Sequence, residues 1–127
     1  MPKPAQFNDW PSSLEIPYGP YRAVVERIVD GDTLYVFIDP GFNQYPYHSI
    51  RLADVDAPEM FSGDAAEREK GRKARDYLAA LVPVGTPVVL DTDRDRTSFA
   101  RYIGWLMRED GMHINQVMTE WLTEQGF

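Results

Sequence analysis

Cysteine is absent from this chain of 127 residues, and histidine occurs only at His48 and His113. The lack of cysteine excludes a disulfide framework, thiolate-bound zinc and thiol catalysis. The two histidines are interpreted as ordinary polar residues, so a metal site built on several imidazoles is not expected. Any metal would therefore be a hard cation held by carboxylate and carbonyl oxygens.

Basic charge is also scarce, since 13 Lys and Arg stand against 20 Asp and Glu and give a formal net charge of −7. Phosphate affinity comes mainly from clustered cations. The acidic balance therefore argues against broad, non-specific nucleic-acid binding. It leaves room for a local basic site beside a divalent cation.

Long apolar runs are missing as well. A membrane-spanning helix needs about 18 or more consecutive apolar residues, and the chain has no such stretch. The opening segment MPKPAQFNDW has no apolar signal-peptide core. We therefore expect a soluble protein, whose compartment the composition does not give.

The length fits one domain, and a hydrophobic share of 43% is enough for a single core. Residues 1–20 contain five prolines among polar residues and are predicted to form an irregular arm. Residues 21–127 then form the domain. We expect it to be a monomer.

Five segments rich in β-branched and aromatic residues predict strands. The turn sequence Asp30-Gly31-Asp32 separates the first two and indicates a tight bend. The predicted strands are Tyr21–Val29, Thr33–Ile38, a third around Tyr47–Val55, Thr86–Leu90, and a fifth within Ala100–Met107.

Two segments have the apolar spacing of amphipathic helices. In the first, apolar residues recur up to Leu81, and the helix begins either near Asp64 or just after Gly71. The second has an apolar stripe from Ile114 to Leu122, and Gly126 is placed where a helix ends. Trp105 and Trp121 are predicted to be core residues. The order β-β-β-α-β-β-α predicts an α+β fold built on a five-stranded OB-type barrel, a layout that hosts many functions.

Acids and an arginine are concentrated in VDGDT, which contains Asp32, and in RLADVDAPE, which runs from Arg51 to Glu59. Pro58 must end a strand, and such a turn can bring Asp56 and Glu59 close together. Converging carboxylates repel unless a cation neutralises them. Two aspartates, a backbone carbonyl and waters suit Ca²⁺, whereas Asp54 is interpreted as a surface or structural residue.

Together with the downstream SFARYIGWL, these segments resemble the signature of the staphylococcal nuclease family, over about Tyr21–Phe127. The resemblance implies hydrolysis of phosphodiester bonds in DNA or RNA. It also implies that Asp32 and Asp56 ligate Ca²⁺, with Ala57 adding its backbone carbonyl. Glu59 would handle the attacking water, as general base or through hydrogen bonds, while Arg51 and Arg101 would grip the scissile phosphate.

That chemistry suits phosphodiester hydrolysis independently of the resemblance. A divalent cation acts as Lewis acid and template, and two guanidinium groups stabilise growing phosphate charge bidentately, which lysine does less well. A carboxylate near the water contributes about 10²–10⁴-fold as a general base.

The sequence departs from the family pattern in three places. Ala57 stands where the best-known member has threonine, and Phe99-Ala100 replaces a Tyr-Gly pair. The charged loop Asp91–Ser98 also obscures the alignment, so Arg94 or Arg96 could share the role of Arg101. Within these 127 residues we expect no third helix and no counterpart of the nucleotide-contacting tyrosines that precede it. Three other aromatic residues are instead the candidates for base stacking: Tyr45, Tyr47 and Phe61.

The leading hypothesis is a Ca²⁺-dependent nuclease acting on DNA and/or RNA. Two alternatives stay open: a non-catalytic OB-type module that binds nucleic acid or protein, and a domain that binds metal only. The combination of three acids and two arginines favours catalysis, since binding alone would not need it. The net charge of −7 favours the alternatives.

Overall fold

Five strands close into a barrel against which two helices pack, in a computed structural model that describes residues 18–94 and 101–127. The elements follow the chain in the predicted order β-β-β-α-β-β-α. Their bounds are β1 Tyr18–Asp30, β2 Thr33–Asp39, β3 Tyr47–Leu52, α1 Ala65–Leu81, β4 Pro87–Arg94, β5 Arg101–Arg108 and α2 Ile114–Gln125.

The strand order around the barrel is β1-β2-β3-β5-β4. Its pairs are antiparallel except for β3 and β5, which run parallel and are joined through α1 and β4. A parallel pair requires a long crossover, and the intervening helix and strand supply it. The predicted OB-type barrel is therefore confirmed.

Side chains alternate between the barrel interior and its outer face along each strand. On β2, Leu34 and Val36 are fully buried, whereas Phe37 is exposed. The interior of the barrel joins the apolar faces of the helices in one core, where Leu78 of α1 and Met118 of α2 are fully buried.

The prediction that Trp105 lies in the core is wrong, because this side chain is 43% exposed. On β5 the even-numbered Gly104 and Leu106 are buried, so the alternation turns Trp105 outward. Trp121 is half-buried against the core, where its ring stacks on that of Tyr77 at 4.4 Å.

Several element bounds differ from the predicted ones. β1 begins at Tyr18, inside the predicted arm, whose remaining residues 1–17 lie outside the described part of the chain. β3 ends at Leu52 instead of near Val55, because Asp54 has a positive φ of 61° that leaves the extended conformation.

The first helix begins at the earlier of its two predicted starts, because the side chain of Asp64 caps it by accepting from the backbone N–H of Glu67 at 2.8 Å. Gly126 ends the second helix in the left-handed conformation, as predicted. Neither described helix has both the length and the apolar character that a bilayer crossing requires.

Candidate active site

The tight turn between β1 and β2 buries a carboxylate beside the end of β3. The backbone N–H of Asp32 donates to Asp30 Oδ1 at 3.1 Å, which fixes the turn. Asp32 is 8% exposed, and its Oδ1 accepts from the hydroxyl of Thr33 at 2.9 Å. Leu52 N–H also donates to the carbonyl of Asp32 at 2.7 Å. The turn is thus joined to the last residue of β3.

Asp30 supplies a second acid in this turn, and its pKa is raised to about 6, chiefly by burial. The hydrogen bond and the negative charge of neighbouring Asp32 contribute to that rise, because two adjacent carboxylates resist being ionised together. The turn therefore resists carrying two full negative charges in mildly acidic solution.

Arg51 connects the two predicted aspartates. Its Nη2 lies 3.4 Å from Asp32 Oδ2 and 3.6 Å from Asp56 Oδ1, and it donates to the carbonyl of Val55 at 3.0 Å. Within the described part of the chain all of its hydrogen bonds and ion pairs use Nη2. The other guanidinium nitrogens can therefore meet a ligand.

The loop after β3 gives the two aspartates different environments. The side chain of Asp56 is 97% exposed. Buried Asp32 accepts through Oδ2 from the backbone N–H of Ala57 at 3.0 Å. Among residues 18–94 and 101–127, no three His, Asp or Glu side chains gather as a metal-binding group would. Asp32 and Asp56 form a pair about one guanidinium, and Asp30 lies beside Asp32.

Asn115 of α2 anchors this loop and was missed by the sequence reasoning. Its Nδ2 donates to the carbonyls of Ala53 at 3.0 Å and Gly104 at 2.9 Å. Its Oδ1 accepts from the backbone N–H of Leu106 at 2.9 Å. The one available signal was a polar residue next to the apolar stripe of α2.

Glu59 lies further along the same loop, and its side chain is exposed. Its Oε2 accepts from the hydroxyl of Ser62 at 2.6 Å. The backbone of Glu59 packs on α1 at Gly71, where a Cβ atom would lie 2.4 Å from the Glu59 carbonyl oxygen. Gly71 is therefore a second residue that supports the loop and that sequence reasoning did not identify.

The other predicted phosphate ligand, Arg101, is the first residue of β5 and pairs with Ser49 of β3. Strand alternation places it on the same outer face of the barrel as Arg51, on a neighbouring strand. Of the two alternatives to Arg101, Arg94 ends β4 and Arg96 lies outside the described residues.

The three aromatic residues predicted to stack on bases are all exposed. Tyr45 and Phe61 are 63% and 78% exposed, and they lie in the β2–β3 loop and in the loop that follows Glu59. Tyr47 begins β3, and its ring packs against two other aromatic rings.

Comparison with known proteins gives a family and several relatives. A family model described as staphylococcal nuclease homologue matches residues 49–122, from β3 into α2. Endonuclease YhcR of Bacillus subtilis is 32% identical over 103 residues, which are 76% of this chain and 8% of that protein. An uncharacterized endonuclease of Escherichia coli O157:H7 is 33% identical over 105 residues, 80% of this chain and 60% of that protein.

Protein ParB of Escherichia coli is 36% identical over 90 residues, or 69% of this chain and 44% of that protein. The chain thus spans less than two thirds of the length of each of these relatives. The matched range 49–122 includes Arg51, Asp56, Glu59 and Arg101, whereas Asp32 precedes it.

Proposed function

The chain belongs to the staphylococcal nuclease family, and on that premise we propose that it is a Ca²⁺-dependent nuclease hydrolysing phosphodiester bonds of DNA and/or RNA. The observation that carries the proposal is the position of Arg51. A single guanidinium nitrogen lies 3.4 Å from Asp32 and 3.6 Å from Asp56. Groups suited to phosphate and to a cation therefore meet at one point. The names of the Bacillus and Escherichia endonucleases support the same reaction class.

The donors at this point fit a hard divalent cation. Asp32 and Asp56 would hold it with the backbone carbonyl of Ala57, and all three donate oxygen, the ligand that Ca²⁺ takes. The carboxylate of Asp32 accepts from Thr33, Ala57 and Arg51, but a carboxylate has about four acceptor sites, so capacity remains. When bound, the cation supplies a Lewis acid and a template for the phosphodiester.

The two arginines bind the phosphate. Arg51 and Arg101 belong to neighbouring strands and share the outer face of the barrel. Planar guanidinium groups can donate to phosphate oxygens in pairs and stabilise the charge that grows there during attack. Lysine would offer only a point charge.

Glu59 handles the water, either as general base or by orienting it through hydrogen bonds. Ser62 holds Oε2 at 2.6 Å, so Oε1 is the oxygen available to take the proton from the attacking water. The carboxylate is exposed. Solvent therefore has access to it without any opening of the core.

The test is incubation of the full chain with plasmid DNA, single-stranded DNA and RNA, in Ca²⁺ and in EDTA. We expect cleavage in Ca²⁺ and none in EDTA. Cleavage that persists in EDTA would contradict the role of the metal. Binding of these substrates without cleavage in Ca²⁺ would replace the nuclease by the alternative, a non-catalytic OB-type binding module.

Thermal unfolding tests the cation separately from catalysis. Ca²⁺ at 100 times its Kd should stabilise the fold by about 2.7 kcal/mol, because it binds the folded state. Asp56→Asn should abolish the resulting rise in Tm without lowering the Tm measured in EDTA, since this side chain is 97% exposed.

The matched control is Asp54→Asn, which removes one charge from the same loop at a positive φ of 61° that asparagine also accepts. This variant should keep the rise in Tm. If both variants lose the Ca²⁺-dependent rise in Tm equally, that rise comes from the general negative charge of the loop and not from a specific site. A rise in Tm without any cleavage would support the domain that binds metal only.

A further inference from the structure

Three aromatic rings lie side by side on the outer face of β2 and β3. Tyr35 stacks on Tyr47 with ring centroids 5.1 Å apart and planes at 15°, and Phe37 packs against Tyr47 at 4.8 Å. Phe37 and Tyr47 are 44% and 43% exposed. We call these three residues the aromatic strip.

The aromatic strip is continuous with the arginines of the candidate active site. In the β2–β3 ladder Phe37 pairs with Tyr47, Tyr35 with Ser49, and Thr33 with Arg51. Ser49 in turn pairs with Arg101 of β5. Arg51 and Tyr47 share the outer face four residues apart, about 13 Å at the rise of a β-strand. Arg101 and Tyr35 flank Ser49 from either side.

Neighbouring side chains hold the aromatic strip in place. The hydroxyl of Tyr47 donates to Glu26 Oε2 at 2.6 Å, which fixes the edge of its ring. Arg27 of β1 pairs with Tyr35, which puts a cation on the side of the strip away from β5. Partly exposed aromatic rings are thus presented on the sheet, with arginines on both sides.

We propose that the aromatic strip binds the unpaired bases of single-stranded DNA or RNA whose scissile phosphate lies at Arg51 and Arg101. This inference rests on the proposed function and names its substrate. Aromatic faces recognise bases that are free to stack on them, whereas the bases of a duplex are already stacked on one another. The face formed by strands 2 and 3 is also one that OB-type barrels use for oligonucleotides.

Stacking explains how an acidic protein can hold nucleic acid. Each base stacked on an aromatic side chain contributes without any requirement for net positive charge. The chain carries a net charge of −7, which argues against binding through a broad basic surface. Base stacking next to two local arginines supplies binding energy that does not depend on net positive charge.

The test is fluorescence anisotropy of a short labelled oligodeoxythymidine and of a labelled duplex, titrated in EDTA with the full chain. Phe37→Leu keeps an apolar side chain and removes the ring. It should raise the Kd for the single strand by about 5- to 150-fold, the range measured for loss of one stacked base. The Kd for the duplex should change less than twofold.

A matched control separates stacking from other effects. Trp105→Leu removes an exposed aromatic ring from the outer face of β5, away from the strip, and should leave the Kd unchanged. If thermal unfolding shows that Phe37→Leu is not folded, Tyr47→Leu is used in its place.

The outcomes distinguish this inference from the proposed function, because bis(p-nitrophenyl) phosphate is a diester without a base. If this compound is hydrolysed in Ca²⁺ but Phe37→Leu binds the oligonucleotide normally, the aromatic strip has no such role and the nuclease stands. Equal weakening of single strand and duplex would also overturn the inference. The inference would also be overturned if the protein self-associates and Phe37→Leu abolishes this self-association while leaving the Kd for the single strand unchanged. The strip would then bind a second copy of the chain.

Discussion

Replacement of Glu59 by glutamine is expected to lower kcat for cleavage of single-stranded DNA by about 10²–10⁴-fold, the contribution of a positioned general base. Glutamine retains the size of the side chain and an acceptor for the hydroxyl of Ser62, which lies 2.6 Å from Oε2. It cannot take a proton from water. Because Glu59 is exposed, the Tm should stay unchanged. Steady-state kinetics in Ca²⁺ and thermal unfolding provide the two measurements.

Glu69→Gln is the matched control, since it removes an exposed acid of α1 that pairs with Arg72 at 2.8 Å. Its kcat should stay within twofold of the unchanged protein. If Glu59→Gln keeps more than a tenth of kcat, Glu59 does not move the proton. If its kcat instead becomes independent of Ca²⁺, the residue acts through the cation.

Gly71→Ala is expected to damage both stability and catalysis, although glycine in a helix interior is usually improved by alanine by about 0.5–1 kcal/mol. The new Cβ atom would lie 2.4 Å from the carbonyl oxygen of Glu59 and 2.7 Å from the backbone nitrogen of Met60. These are backbone atoms, so the loop must move away from α1. Overpacking of this kind costs about 1–3 kcal/mol.

The catalytic loss follows from the displacement of Glu59, because misplacing a group by about 1 Å can cost on the order of 10²-fold in rate. We expect kcat to fall and KM to change little, since Arg51 and Arg101 lie on strands that the helix substitution does not reach. The kinetics are measured well below the Tm of the variant. Lys73→Ala, on the exposed side of α1, is the control, and a Gly71→Ala protein with higher Tm and full kcat would disprove the positioning role.

The order of the elements was predictable because it depends on local patterns. Alternating strand segments and the apolar spacing of two helices are visible within short windows of sequence. The closed barrel adds pairing over long separations, and the parallel ladder from Ser49 to Arg101 has no local signal. For the same reason the outward orientation of Trp105 was missed, since the face a strand presents to the core depends on its partners.

The candidate site was partly predictable because its motifs are compact. The pairing of Thr33 with Arg51 brings the turn of Asp32 beside the arginine, and the short loop to Asp56 adds the second acid. The residues that support the loop were not predictable. Asn115 and its partner Ala53 are 62 positions apart, and Gly71 reads in isolation as a possible helix start instead of a contact with Glu59.

The hydrogen bonds of Asn115 have a consequence for the motions of this protein. Functional loops are usually drawn from the least protected part of a fold and open independently of the rest. Here Ala53, at the root of the acid-bearing loop, is bonded to the side chain of an α2 residue that also holds Gly104 and Leu106. We therefore expect the base of the loop to open as one cooperative unit with the beginning of that helix and the middle of β5. Fraying at the beginning of α2 would therefore loosen the loop that carries Asp56 and Glu59. An ordered α2 is then required for these acids to be preorganised.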